Sequence, residues 1–379
     1  MYLYQKSNVY FAQVADDIKD IAESEIISLG GQDTRPVYRG IIFKSDLKTL
    51  YNLNYCSRLI SRFLAPLIRF DCHSERYLYK TASQIKWEDF LSPSATFAVF
   101  SSVVNSSIKH SKYAALCLKD AVVDYFKENF GERPSIDTTQ PDLWLNLHIE
   151  NNEATISLDT SGGSLHRRGY RKNAVLTPMA ETLAAAIIQY SGWDKLTPLY
   201  DPFCGSGTLL CEAYLYASNT PAGILREKFG FERMPGFDRR LWDQVKDEAG
   251  NRIIPVQRGL ISGSDISPEA VRYSINNCAA VDIEKSIEVA KRDIFDIEAI
   301  QGRMIICNPP YGIRQGKNQD MDLFYRRVGD FLKKQCSGST ALIYFGERKF
   351  IKSVGLKPSW KKPLSNGGLD GRLVKYEMY

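Results

Sequence analysis

The sequence predicts an α/β protein whose C-terminal part is a doubly wound, Rossmann-like parallel sheet and whose N-terminal part is a mixed α+β region. Three observations predict it. From about Leu176 onward, helical stretches alternate with short apolar runs, the texture of a parallel sheet built from β-α-β units. A strand at Leu196–Tyr200 delivers the chain into the glycine-bearing turn Asp201-Pro-Phe-Cys-Gly-Ser-Gly-Thr208, and a helix over Leu209–Ala217 follows. Upstream, strands rich in β-branched and aromatic residues are mixed with helices in α+β fashion. A chain of 379 residues exceeds what one core usually organises, so two or more domains are expected.

In order, the N-terminal region reads as a strand near Val9–Val14 and a helix from Asp17 to Leu29, stopped by Gly30-Gly31. A strand at Val37–Phe43 and a helical pattern from Leu47 to Leu67 follow. Thr96–Val104 predicts a strand, His110–Phe130 a helix closed by Gly131, and Trp144–Ile149 with Ala154–Asp159 a strand pair. In the C-terminal region, Thr177-Pro178 places a capping hydroxyl before a proline at the first helical position, opening a helix to Tyr190. Later strands are predicted at Leu260–Ser264, Ile287–Ala290, Met304–Cys307, Thr340–Phe345 and Leu373–Met378. Ser267-Pro268-Glu269 starts another capped helix. Tyr214 to Arg258, with Phe229-Gly230-Phe231, Pro235-Gly236-Phe237 and Trp242, is an ordered, mostly helical excursion expected to pack on the sheet, with a lid as the alternative.

Composition narrows the function classes. The N-terminus lacks the basic start and apolar run of a signal peptide, and no segment reaches the roughly 20 apolar residues of a membrane helix, so a cytoplasmic location is expected. The eight cysteines are scattered without C-x-x-C pairs or histidines at ligand spacing, which predicts reduced thiols, no disulfide and no metal. Residues 1–160 carry 17 Lys/Arg against 20 Asp/Glu, and the remainder 32 against 24. The basic surplus is therefore C-terminal, and its densest cluster is Arg167, Arg168, Arg171 and Lys172, interleaved with His166 and Tyr170. That pattern suits phosphate contact and stacking, or else a solvated interdomain linker.

Gly205-x-Gly207 lacks the third glycine of the dinucleotide fingerprint, and the loop opens with an acid. Asp201 would repel a pyrophosphate but suits a cofactor whose amino acid end is a zwitterion. Asp265 ends the next strand, where a carboxylate accepts from ribose hydroxyls, and Asp293 follows the third, within reach of an adenine amino group. Asn308-Pro309-Pro310-Tyr311 comes directly after Met304–Cys307. Consecutive prolines hold the backbone extended and leave the Pro309 carbonyl free, so it and the Asn308 amide oxygen offer two acceptors to the two hydrogens of an sp² amine. Such an amine is a poor nucleophile. Drawing on both N–H bonds as the nitrogen becomes tetrahedral aligns its lone pair for in-line transfer from a sulfonium, and Tyr311 supplies a face for the base.

These motifs resemble those of class I S-adenosylmethionine-dependent amino-methyltransferases. The resemblance extends over nearly the whole chain: Ser57-Arg58-Leu59-Ile60-Ser61-Arg62, Phe70-Asp71-Cys72-His73, Leu165-His166-Arg167-Arg168-Gly169-Tyr170-Arg171 and Arg372-Leu373-Val374-Lys375-Tyr376-Glu377 are similar to THUMP-domain RNA methyltransferases, most closely the bacterial large-subunit rRNA guanine-N2 group. It implies a ferredoxin-like plus THUMP RNA-binding region over 1–165 and a seven-stranded methyltransferase domain over 166–379, its last two strands an antiparallel hairpin near Asn366-Gly367-Gly368. It also implies S-adenosyl-L-methionine as cofactor, held by Asp201, Phe203, Gly205, Gly207, Thr208, Asp265, Ile266, Asp293 and Asn308. Catalysis falls to Asn308, Pro309 and Tyr311, and RNA contact to Arg167, Arg168, Tyr170 and Arg171. The expected partner is 23S-class ribosomal RNA or a pre-ribosomal particle, with no membrane and no metal. Many relatives have an acid after Tyr-Gly where this chain has Ile313. Two other readings are an adenine-N6 methyltransferase acting on DNA or RNA, since the tetrapeptide holds either amine, and a noncatalytic RNA-binding assembly factor.

Overall fold

The computed structural model describes residues 1–173, 178–282, 285–310, 320–367 and 369–379. They fall into two compact units, Met1–Leu165 with Arg226–Asp247, and His166–Leu225 with Glu248–Tyr379.

The first unit is built on an eight-stranded sheet. Its elements are α1 (Leu3–Ser7), β1 (Val9–Gln13), α2 (Lys19–Ser28), β2 (Gln32–Val37), β3 (Gly40–Lys44), α3 (Leu47–Cys56), β4 (Arg62–Asp71), α4 (Glu75–Ala82), β5 (Thr96–Val104), α5 (Ser111–Phe130), β6 (Ser135–Ile136), β7 (Leu143–Glu150) and β8 (Glu153–Asp159). The strand order is β2-β3-β1-β4-β8-β7-β5-β6. β5 runs parallel to β6 and β7, and the other pairs are antiparallel. Asn151 and Asn152, both at positive φ, form the two-residue connection from β7 to β8, the conformation such a hairpin turn demands. Gly131, at φ +74°, closes α5.

Two sequence expectations fail here. The single strand at Val37–Phe43 is instead the turn and second arm of a hairpin, because Arg39 at φ +53° reverses the chain between β2 and β3. The helix expected to reach Leu67 stops at Cys56. The Glu25 carboxylate accepts from Ser57 Oγ (2.7 Å), Arg58 N–H (2.8 Å) and Leu59 N–H (3.1 Å), pulling the chain out of helix, and Pro66 then lies at a bulge in β4.

The middle of the excursion, Arg226–Asp247, belongs to the first unit, and its two ends belong to the second. Phe231 stacks on Tyr51 of α3 at 4.4 Å between ring centroids, and Trp242 meets Tyr55 edge-on at 5.1 Å. Arg226 donates to the carbonyls of Ser161 (2.8 Å), Gly162 (3.2 Å) and Ser164 (3.2 Å). A Cβ on Gly230 would lie 1.9 Å from the Asp159 carbonyl, so only glycine fits there. The aromatic residues of this stretch thus pack against α3, where the sequence reading placed them on the sheet.

The second unit contains α6 (Glu181–Tyr190), β9 (Leu199–Asp201), α7 (Thr208–Ala217), the end of α8 (Arg239–Gly250), β10 (Ile261–Asp265), α9 (Pro268–Val281), β11 (Glu288–Lys291), β12 (Met304–Cys307), α10 (Met321–Gln335), β13 (Thr340–Phe345), β14 (Trp360–Pro363) and β15 (Arg372–Glu377). Its sheet has the order β11-β10-β9-β12-β13-β15-β14. β11 to β13 are parallel, and β15 is inserted antiparallel between β13 and β14. Ser267 caps α9 with its hydroxyl on the Ala270 N–H. α6 begins at Glu181 behind Ala180, three residues after Pro178, and Thr177, expected to cap it, lies outside the described residues. β9 starts at Leu199 because Asp194 holds the Leu196 and Thr197 N–H groups in a turn. Among the described residues no helix is long and apolar enough to cross a membrane.

Candidate active site at the carboxyl edge of the parallel sheet

Asp201 ends β9, Asp265 ends β10, Asp293 follows β11 by two residues and Asn308 follows β12 directly. Register brings Gly263 opposite Asp201 and Ile305 opposite Tyr200, so these ends lie along one edge. β9 is flanked by β10 on one side and β12 on the other. The winding reverses there, which opens a crevice at the carboxyl ends, the usual ligand position in such sheets.

The glycine loop is shaped for close approach. Gly207, at φ +81°, caps α7, and a Cβ there would meet Ser274 Oγ at 2.5 Å. Gly205, at φ +53°, has open space beside it, and its N–H donates to Asp265 Oδ2 at 3.0 Å. The other Asp265 oxygen accepts from Ser267 N–H at 2.9 Å. Asn277 donates to the Ser206 carbonyl at 2.9 Å.

Met179, Asp201, Phe203, Gly205, Thr208 and Asn308 line one cleft. Asp201 is buried, and the hydrogen bond it receives comes from the Phe203 N–H at 3.0 Å. Burial, with Asp265 nearby, holds its carboxyl well above the ordinary carboxylate range. A cation entering the cleft would favour its ionised form. The Asn308 Oδ1 atom is buried and has no hydrogen-bond partner among the described residues, an acceptor beside the same cleft. Pro309 is buried, and the Tyr325 hydroxyl of α10 donates to the Pro310 carbonyl at 3.1 Å. Tyr311 and Ile313 lie outside the described residues.

Phe203, Gly205, Thr208 and Asn308 therefore meet Asp201 in one cleft, with Gly207 capping α7 and Asp265 bracing the loop. Ile266 is 56% exposed. Asp293 caps a short 3-10 turn, its Oδ1 accepting from Phe295 N–H at 3.0 Å.

Most of the basic cluster lies against carboxylates of the second unit. Arg168 is 2% exposed with its Nε 3.4 Å from Glu212 Oε1, and the fully buried Tyr170 donates to that same oxygen at 3.0 Å. Arg171 donates to the Met179 carbonyl (2.7 Å) and Thr208 Oγ1 (3.0 Å), with Glu181 at 3.4 Å. These three side chains are engaged by partners inside the second unit, Arg171 being half-buried, whereas Arg167 is exposed. The readable signal was Glu181 and Glu212, each a carboxylate on an otherwise apolar helix and so in need of a buried cation. Tyr325 carried no comparable sequence signal. Among the described residues no group of His, Cys, Asp and Glu side chains converges as a metal site.

Comparison with known proteins gives the family of each part of the chain. Residues 168–375 match the model of an RMKL-like methyltransferase domain, residues 72–159 that of the THUMP domain and residues 10–64 that of the RlmL ferredoxin-like domain. The chain is 37% identical over 98% of its length to slr0064 of Synechocystis sp., provisionally named an RNA methyltransferase, and covers 97% of that protein. It is 34% identical over 97% of its length to the ribosomal RNA large subunit methyltransferase K/L of Syntrophotalea carbinolica, of which it covers 53%. It thus spans about half the length of that relative. The crystal structure of SMU.472, described as a methyltransferase complexed with SAH, superposes with a TM-score of 0.84 at 26% identity, covering 98% of each chain.

Proposed function

This chain belongs to the RMKL-like methyltransferase family and carries THUMP and RlmL ferredoxin-like domains, and from that premise we propose that it methylates the exocyclic N2 amine of a guanine in large-subunit ribosomal RNA, with S-adenosyl-L-methionine as donor. One observation carries the reading: the buried, unpartnered Asn308 Oδ1 beside the cleft that contains Asp201.

The residues present fit the cofactor. Asp201, buried with no cation beside it among the described residues, would bind the ammonium of its amino acid end, and the Gly205 to Thr208 loop leaves room for the backbone to approach. Asp265 would take the ribose hydroxyls, and Phe203, Ile266 and Asp293 the adenine. When bound, the cofactor supplies an electrophilic methyl group on a sulfonium.

What this chain's own residues do follows from the amine's chemistry. The nitrogen lone pair is delocalised into the ring and becomes available only as the nitrogen pyramidalises. Asn308 Oδ1 and the Pro309 carbonyl accept the two N–H bonds and stabilise the charge developing on the nitrogen, a gain realised only in the transition state. The Tyr325 hydroxyl, on the Pro310 carbonyl, holds the backbone of this acceptor pair. Tyr311 completes the motif as a stacking face for the flipped base, and the domains matched upstream of residue 160 are the RNA-holding part.

Offering ribosomal RNA and duplex DNA with labelled cofactor, followed by nucleoside analysis, tests the assignment. The reading predicts N2-methylguanosine in RNA. N6-methyladenosine, in either nucleic acid, would transfer the same acceptor pair to the other amine and overturn the guanine assignment.

A further inference from the structure

Behind the cleft wall lies a buried polar group that methyl transfer leaves unused. Arg168 and Tyr170 both address Glu212 Oε1. Arg171 reaches in three directions: to the Met179 carbonyl at 2.7 Å, to Thr208 Oγ1 at 3.0 Å and to Glu181 Oε1 at 3.4 Å. Met179 and Thr208 come from different elements, the segment before α6 and the first turn of α7, and both line the cleft. Among the described residues, Arg171 Nε, Glu181 Oε2 and Glu212 Oε2 are buried without partners, so the cluster there keeps unused polar capacity.

We propose that Arg171 is a positioning residue for the cofactor: its rigid guanidinium ties the Met179 carbonyl to the Thr208 hydroxyl and so sets the spacing of two cleft walls, while the Glu181 carboxylate holds the guanidinium in place. The inference rests on the cofactor reading of the cleft. Burial pushes the Glu181 carboxyl up to about 7, and Arg171 works against that rise. Arg168, Arg171 and Tyr170 face the cluster from the segment before α6, and Cys211 and Glu212 from α7. Below neutrality Glu181 is protonated, the ion pair with Arg171 is lost and the brace loosens. Above neutrality the carboxylate holds it.

The test is calorimetric binding of S-adenosylhomocysteine to the full chain at pH 6 and pH 8. Arg171→Met should weaken binding by about tenfold or more, with Arg171→Lys intermediate because it keeps the charge but not the fork. Wild type should bind more weakly at pH 6 than at pH 8. Asp201, present in both proteins, contributes the same dependence to each, so the difference between wild type and Glu181→Gln isolates Glu181, and Glu181→Gln should show a smaller loss of affinity from pH 8 to pH 6 than wild type. Wild-type affinity in Arg171→Met, or an unchanged pH dependence in Glu181→Gln, overturns the proposal. If Arg171→Met does not fold, the isosteric Glu181→Gln comparison decides alone. A wild-type chain that binds no analogue at either pH would instead contradict the cofactor reading and this inference with it.

Discussion

The Gly205 N–H donates to the Asp265 carboxylate at 3.0 Å, joining the turn after β9 to the end of β10 across 60 residues of sequence. One carboxylate thus holds the loop in its open shape, caps the start of α9 through Ser267 and remains at the sheet edge for a ligand hydroxyl. Asp265→Ala should raise the cofactor KM about tenfold or more and change kcat less, because the loss falls on ground-state binding. Asp265→Asn keeps one acceptor and should fall between. A drop in kcat with KM intact would show that the loop is held by something else.

Tyr325 has a fully buried ring, stacked on Phe350 at 4.9 Å, and its hydroxyl lies on the Pro310 carbonyl. Tyr325→Phe retains the packing and deletes the bond. The expected result is a kcat lowered about three- to tenfold at unchanged cofactor affinity, measured by steady-state kinetics alongside calorimetry. Unchanged kcat would remove Tyr325 from the positioning of the tetrapeptide.

Asp201 links stability to function in opposite directions. Its carboxyl is held well above the ordinary carboxylate range by burial. The folded chain therefore keeps a proton that the unfolded chain releases, and stability falls as pH rises from the unfolded value toward the folded one. Asp201→Asn should melt higher than wild type at neutral pH, with the gap closing below about pH 4, where both states are protonated. S-adenosylhomocysteine should raise the melting temperature of wild type far more than that of the variant. Scanning calorimetry checks both, and a variant that melts lower at neutral pH refutes the buried, uncompensated carboxyl.

Trp242 is 4% exposed and meets the rings of Tyr55, Phe229 and Phe231 at 5.1 to 5.5 Å. Trp242→Ala should destabilise the first unit by about 3–5 kcal/mol, and Trp242→Phe by less. Hydrogen exchange localises the effect: protection should fall in α3 before it falls in the parallel sheet. Loss confined to the parallel sheet would mean that the excursion belongs there after all.

Legibility in the sequence followed how local the cause was. Thr96–Val104, Met304–Cys307 and Thr340–Phe345 are apolar runs bounded by breakers, and they form strands over those bounds. Leu59, Ile60, Phe63, Leu64 and Leu67 also satisfy helical spacing, yet Glu25, more than thirty residues away, ends the helix by taking three donors. The strand-end positions of Asp201, Asp265 and Asn308 were readable because each closes a predicted strand. Arg168, Tyr170 and Arg171 read as surface charge because their partners, Glu212 and Glu181, lie on helices that only the fold brings to them.

The most direct test of the account is Asn308→Ala, measured twice. Affinity for S-adenosylhomocysteine should stay within about twofold of wild type, while methyl transfer to ribosomal RNA falls by about 10² to 10³, the usual cost of one acceptor or donor aimed at developing charge. Transfer at near wild-type rate, or equal loss of binding and transfer, would contradict the role given to that open amide oxygen.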